Sequence, residues 1–313
     1  MSKTNWAPVL DGFKKQYSWL DVEALDLGSY EVFERYYSES ASGAKSADMI
    51  MTSSPEAWPD FIKKGEGEAY TSAEDDKVPA WSKQGPGVYT ISSDPFFFTW
   101  NKKLLTTPPK TMAELADMVT KDAAKFTPGK VVSYEENNAS GLAANWFYAK
   151  KNGQEKFLQY ISAIGKTKPK LESSGGRMVD ATIAGETMVG YFVSAITVLP
   201  QLPKAEAVLG WGMIGDGTPV LLRCMSVTKK AKAPSSAKLL LDFTLSQAGQ
   251  VAWANGGLTA YRPDVASQAQ IHLAKLGAEI GDANLLKFAF DPEIADKAKT
   301  DAYRARWKKA MGR

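Results

Sequence analysis

With one cysteine and one histidine in 313 residues, the chain is poor in the side chains that most often hold metals or act in nucleophilic catalysis. A lone Cys224 excludes an internal disulfide and, set in the apolar run VLLRCM, reads as a small buried hydrophobe. A lone His272 excludes His-rich metal sites and leaves any Ser-His or Cys-His pair a single candidate base. No apolar run approaches the roughly 18 to 20 residues that cross a bilayer, and Met1 to Phe13 carries no apolar signal-peptide core. The 38 basic and 35 acidic residues leave a net charge of only +3, without a long basic run, so nothing marks a nucleic-acid or membrane surface and a small-molecule partner is expected.

What is present is enough apolar side chain, 44% of the total, to fill a sizeable core, and a length that suits two lobes better than one. After an opening helix over NWAPVLDGFKKQY, a strand is expected at Leu20 to Leu27, a helix at Ser29 to Ser40 and a strand at Ala47 to Met51. Residues 63–86, rich in Gly, Glu, Asp, Lys and Pro, read as a surface excursion, and Val88 to Asn101 as a β-rich stretch interrupted by Pro95. Helices follow at Met112 to Phe126, Gly141 to Lys151, Glu155 to Ile164 and Gly176 to Ala184, with strands at Lys130 to Tyr134 and Met188 to Val193 between them. A strand at Val220 to Val227 and a closing helix at Pro292 to Met311 complete the reading, and the alternation argues for a parallel, doubly wound α/β sheet.

The stretch from 216 to 262 carries the most recognisable pattern. Asp216, Gly217, Thr218, Pro219 and Val220 form a turn into a strand. Pro234, Ala237, Lys238, Leu239, Asp242, Phe243, Leu245, Ser246, Gly249 and Gln250 then write one apolar-periodic helix, with Ser235 or Ser236 as cap and Gly256-Gly257 as stop. This order resembles the periplasmic solute-binding proteins of bacterial ABC importers, in the cluster that holds ferric-ion, phosphonate, sugar-phosphate and other small-anion binders. The resemblance implies two doubly wound α/β lobes joined by hinge strands, the type II fold, with residues 1–98 and 222–270 in lobe 1 and residues 99–221 and 271–313 in lobe 2. It also implies a periplasmic monomer that captures a small organic anion, a phosphonate, phosphate ester or carboxylate, in the interlobe cleft by hinge closure. Such a protein delivers its cargo to an ABC permease in the inner membrane, without chemistry and without a cofactor. Relatives open on a strand before the first helix, so a missing first strand and a removed signal peptide are expected here.

Ligands of doubly wound sheets lie beyond the carboxyl ends of strands, where helix N-termini present free N–H groups. Thr52-Ser53-Ser54 follows one predicted strand, with Pro55 able to open the next helix and Ser54 able to serve either as its cap or as a ligand contact. Asn138-Ala139-Ser140-Gly141 follows a second and resembles the Ser-Gly-Ala turn with which ferric-binding relatives hold an anion; a plain cap at Ser140 is the alternative. Ser173-Ser174-Gly175-Gly176-Arg177 stands ahead of the predicted helix that leads to Gly185-Glu186, where Arg177 can fork onto a carboxylate or phosphate or stay a surface side chain, and Arg262 is a further cation. Counted from Gly185-Glu186, the paired metal-binding tyrosines of the ferric relatives fall at Ala195 and Ile196, which leaves Ser194, and less directly Tyr191, as contacts and no metal site.

Other strings fail on context. Gly210-Trp211-Gly212-Met213-Ile214-Gly215 spells G-x-G-x-x-G but runs into Asp-Gly-Thr-Pro instead of a helix, and there is neither a P-loop nor a G-x-S-x-G elbow. Glu31, Glu56, Glu135 and Glu136 keep a polyamine or other cation binder open as a rival reading, beside a ferric binder; an α/β transferase would have only His272 as catalytic base. The absent tyrosine pair gives a direct test: ferric citrate added to the apo protein is expected to produce no phenolate-to-iron charge-transfer band, and a strong visible band with one iron bound would restore iron as the cargo.

Overall fold

The computed structural model describes residues 3–28, 31–269, 271–288 and 290–313. They form two compact units. The first is Met1–Ser93, Leu222–Lys275 and Ala289–Ala295; the second is Asp94–Leu221, Leu276–Phe288 and Asp296–Arg313. The chain passes between these units at 93/94, 221/222, 275/276, 288/289 and 295/296.

Among the described residues nine strands carry the sheet structure: β1 (Met49–Thr52), β2 (Lys83–Gly85), β3 (Val88–Asn101), β4 (Val131–Tyr134), β5 (Lys170–Glu172), β6 (Val189–Ser194), β7 (Leu209–Gly212), β8 (Thr218–Val227) and β9 (Leu285–Lys287). In the first unit, β1 runs antiparallel to the end of β8, from Met49 opposite Val227 to Thr52 opposite Cys224, and β2 runs antiparallel to the start of β3. In the second, β7, β3, β6, β4 and β5 lie side by side in that order. β3 is antiparallel to both of its neighbours there, whereas β4 is parallel to β5 and to β6. The sheets are thus mixed rather than purely parallel, because the long strand β3 runs against the strands that it joins. β3 also continues through Pro95, its residues from Val88 to Thr99 all buried.

In the first unit the helices Lys3–Gln16, Pro234–Leu245 and Gln247–Asn255 pack through aromatic contacts, Phe13 on Phe243 at 5.6 Å and Trp6 on Trp253 at 4.9 Å. The expected single helix after Pro234 is broken at Ser246, whose Oγ accepts from Gly249 N at 3.1 Å and so caps a second helix. Gly249 permits that break, since a Cβ there would stand 1.8 Å from the Phe243 carbonyl oxygen. Neither Ser235 nor Ser236 caps the first helix. Asp48 instead fastens the turn just before it, its Oδ1 accepting from Lys232 N at 2.6 Å and Ala233 N at 2.9 Å, and no side chain caps the helix itself.

Leu20 to Leu27 forms no strand, and Leu25 is 56% exposed. Alternation of Asp21, Glu23 and Asp26 with apolar residues imitates a strand pattern, but a strand needs a partner and none of the described strands pairs with this segment. The next helix spans Glu31–Ser42; Ser29 and Tyr30 of the expected helix lie outside the described residues. The 63–86 excursion is tied down rather than loose. Asp242 accepts from Tyr70 OH at 2.7 Å and Ser72 Oγ at 2.6 Å, and Asp75 pairs with Lys83 at 2.6 Å.

His272 is buried, with Nδ1 accepting from Ala274 N at 3.2 Å, so Nε2 bears the proton and donates to the Arg262 carbonyl at 2.9 Å. Burial holds its pKa below the ordinary 6.5. The unfolded chain then binds the proton first, so this site's contribution is intact above the unfolded value and is lost as pH falls below it. Urea midpoints are expected to fall between about pH 7 and 5, with a shallower fall in His272→Gln; an unchanged slope in the variant would remove His272 from this role.

Candidate functional site

Because β4, β5 and β6 are parallel, their carboxyl ends meet at one edge of the second unit, and each feeds a helix: Ala139–Asn152 after β4, Gly175–Ile183 after β5 and Ala195–Val198 after β6. The first helix suits its sequence, ASGLAANWFYAKKN, which has no β-branched residue, ends on Lys150 and Lys151, and stops at Gly153 with φ of 91°. Its cap is Asn138, whose Oδ1 accepts from Gly141 N at 2.7 Å. Ser140 is therefore not the cap. It sits in the first turn, half-buried, and its hydroxyl has no partner among the described residues.

The Asn138 amide also donates to the Ser173 carbonyl at 2.9 Å, which joins the first loop to the second. Ser174 caps the second helix through Arg177 N at 3.4 Å, leaving Arg177 exposed, its guanidinium without a partner among the described residues. Tyr134, the last residue of β4, holds both helices in place. A Cβ on Gly141 would stand 2.5 Å from Tyr134 Cβ, and one on Gly175 would stand 2.6 Å from the Tyr134 hydroxyl. The two helix starts are thus separated by the span of one tyrosine side chain. Burial first, and then the charge of Asp94, push the Tyr134 phenol far above its ordinary range and keep it neutral.

The third helix start is already filled. Asp94, 4% exposed, accepts from Ser194 Oγ at 2.6 Å and from Ile196 N at 3.1 Å. Ser194 is therefore committed to an internal carboxylate instead of facing a solute, a correction to the expectation for that residue. Tyr191 is corrected as well: it is fully buried in β6, packed edge-on to Phe192 at 5.3 Å, and burial raises its pKa. Neither Asp94 nor Tyr134 was singled out from the sequence. Their partners lie 102 positions away in the case of Asp94 and Ile196, and only the strand end at Tyr134 was visible in advance.

In the first unit, Ser54 is buried and its hydroxyl lies 3.4 Å from that of Thr52. The helix that follows starts at Trp58 rather than at Pro55, so Ser54 is no cap, and Trp58 Nε1 instead donates to the Thr52 carbonyl at 3.2 Å. Ser53 is half-buried, with no partner among the described residues. Arg262 is corrected from a ligand contact to a structural cation. It is 4% exposed and donates to Asp264 at 2.7 and 2.9 Å, to Glu74 at 2.6 Å and to the Leu245 carbonyl at 2.9 Å.

The profile of the bacterial extracellular solute-binding proteins matches residues 9–277. No curated protein sequence matches the chain. Among solved structures, the substrate binding protein of an ABC transporter from Agrobacterium tumefaciens is similar at a TM-score of 0.85 and 23% identity, over 99% of this chain and 93% of that one. AfuA, a periplasmic binding protein from Actinobacillus pleuropneumoniae solved with fructose-6-phosphate, is similar at 0.74 and 19%, over 100% and 96%. Iron-bound HitA from Pseudomonas aeruginosa follows at 0.75 and 15%, over 99% and 96%. These likenesses show the two-lobed α/β fold of periplasmic binding proteins.

The contact of Gly141 with the root of the Tyr134 side chain has a measurable consequence. Gly141→Ala forces Tyr134 or the helix start to move, and urea denaturation is expected to show a loss of about 1 to 3 kcal/mol; a variant as stable as the parent would mean that the two elements are not wedged.

Proposed function

The chain belongs to the bacterial extracellular solute-binding protein family, and from that premise we propose that it captures a small organic anion for an ABC importer. The carrying observation is the pair of helix starts at Ala139 and Gly175. The backbone N–H groups of Ala139, Ser140, Gly175 and Gly176, the Ser140 hydroxyl and the Arg177 guanidinium have no protein acceptor among the described residues, and they lie at one edge of one unit. An anionic group at a helix N-terminus gains about 0.3 to 1 kcal/mol, and each hydrogen bond to it adds about 1.5 to 3. Three or four such contacts match the roughly 8 kcal/mol of a micromolar site. The cargo of this reading is a phosphonate, a phosphate ester or a carboxylate, held without chemistry by a monomer in the periplasm and passed to a membrane permease.

The placement of Asp94 supports an organic anion over ferric iron. At the end of β6, where the ferric binders carry two tyrosines, this chain has Ala195 and Ile196, and the Ile196 N–H is bound to a carboxylate of the protein itself. The reading is tested by thermal shift with phosphate, methylphosphonate, fructose 6-phosphate, citrate, spermidine and ferric citrate. Stabilisation by an anion is expected, about 2.7 kcal/mol at a hundredfold excess over Kd. Ser140→Ala and Arg177→Gln should each weaken that anion by about tenfold or more. Stabilisation by spermidine alone, or anion affinity indifferent to both substitutions, would refute it.

A further inference from the structure

The loop that carries Asn138 and Ser140 is braced from behind by the closing helix Lys297–Ala310, all within the second unit. Glu136, in the loop itself, has an 11% exposed side chain. Its Oε1 lies 2.9 Å from Lys308 Nζ, and its Oε2 faces Arg313 Nη1 at 3.5 Å, an ion pair without hydrogen-bond geometry. A second connection runs beside the first: Trp307 Nε1 donates to Asn145 Oδ1 at 3.2 Å, and Asn145 Nδ2 donates to the Gly141 carbonyl at 2.7 Å. Between them lies a cavity of about 10 Å³, bordered by Tyr134, Glu136, Gly141, Asn145, Tyr303 and Trp307. That is room for about one water.

We propose that Glu136, held by Lys308 and Arg313, is a positioning residue for the solute loop, so that an ion pair outside the site sets how firmly Asn138 and Ser140 are presented. The proposal rests on the anion reading for its consequence on affinity and on geometry alone for its consequence on the loop. Three features favour it. The loop turns between Glu135 and Asn138, whose N–H donates to the Glu135 carbonyl at 3.1 Å, so Glu136 lies at the bend. Lys308 holds the Glu136 carboxyl below the usual range, as expected of a formed pair. Gly165 packs within 2.8 Å of the Met311 backbone from its ideal Cβ position, which anchors the far end of the closing helix on the helix Gln154–Gly165. The cations are thus delivered from a fixed base.

The test is amide hydrogen exchange on the full chain at about 0.01 M salt, where the Debye length is about 30 Å and the ion pair is only weakly screened. Glu136→Gln is expected to speed exchange in residues 135–141 by about two- to fivefold. Residues 49–52 and the helix at 154–165 should stay unchanged. The charge-swapped pair Glu136→Lys with Lys308→Glu, made together with Arg313→Gln so that no like charge faces the new lysine, should recover most of the protection, which a purely local packing role would not allow. Fructose 6-phosphate and inorganic phosphate serve as probes, and their Kd should rise by the same factor in the single variant and recover in the pair. An unchanged loop in Glu136→Gln, equal acceleration throughout the second unit, or a swapped pair no better than the single variant would each overturn the proposal. A parent protein that binds neither probe overturns the anion reading alone, and the exchange rates still decide this one.

Discussion

The contact of one tyrosine side chain with two glycines is the constraint from which the geometry of the second unit's candidate site follows. Tyr134 stands at the end of β4 and meets Gly141 at its root and Gly175 at its hydroxyl. Larger residues at either glycine would push a helix start away, and the N–H groups of those starts would no longer share one edge. The parallel order of β4, β5 and β6 brings the three loops to that edge, and Tyr134 sets the spacing of two of them.

In each unit, carboxylates hold backbone N–H groups at or just before helix starts. Asp48 holds the turn that leads into Pro234, Asp216 accepts from Met112 N at 3.1 Å and Ala113 N at 3.4 Å, and Asp94 fills the start at Ala195. Each is supplied from a distant part of the chain instead of from the residue just before the helix. That arrangement ties elements together while it satisfies donors that would otherwise need water.

Local pattern was readable where the signal is local. The helix Ala139–Asn152, the strand end at Tyr134 and the buried Cys224 all follow from periodicity and residue type. Long-range partners were not. Nothing near Ser194 announces Asp94, nothing near Arg262 announces Glu74, and the charged alternation at Leu20 to Leu27 resembles a strand without saying whether another strand will lie beside it. The short strands β5, β7 and β9, of three or four residues each, also pass unseen, because such lengths carry too little periodicity to register. For the same reason the candidate contacts divided by setting: Ser140 and Arg177 remain open on their loops, whereas Ser194 and Arg262 are drawn inward by partners far away in sequence.

The residues that make the 216 to 262 stretch recognisable are occupied within the chain itself. Asp216 holds a helix start and receives Tyr148 OH at 2.7 Å, Asp242 fastens the 63–86 excursion, and Gln250 donates to the Ile91 carbonyl at 2.6 Å and accepts from Tyr261 N at 3.3 Å. The residues that make the chain recognisable and the candidate contacts at Ser140 and Arg177 therefore reside in separate parts of the molecule. Two short segments, 137–140 and 173–177, can be rewritten without touching any of those internal bonds, so under the proposed reading a scaffold of this kind can exchange one solute for another while its signature stays intact.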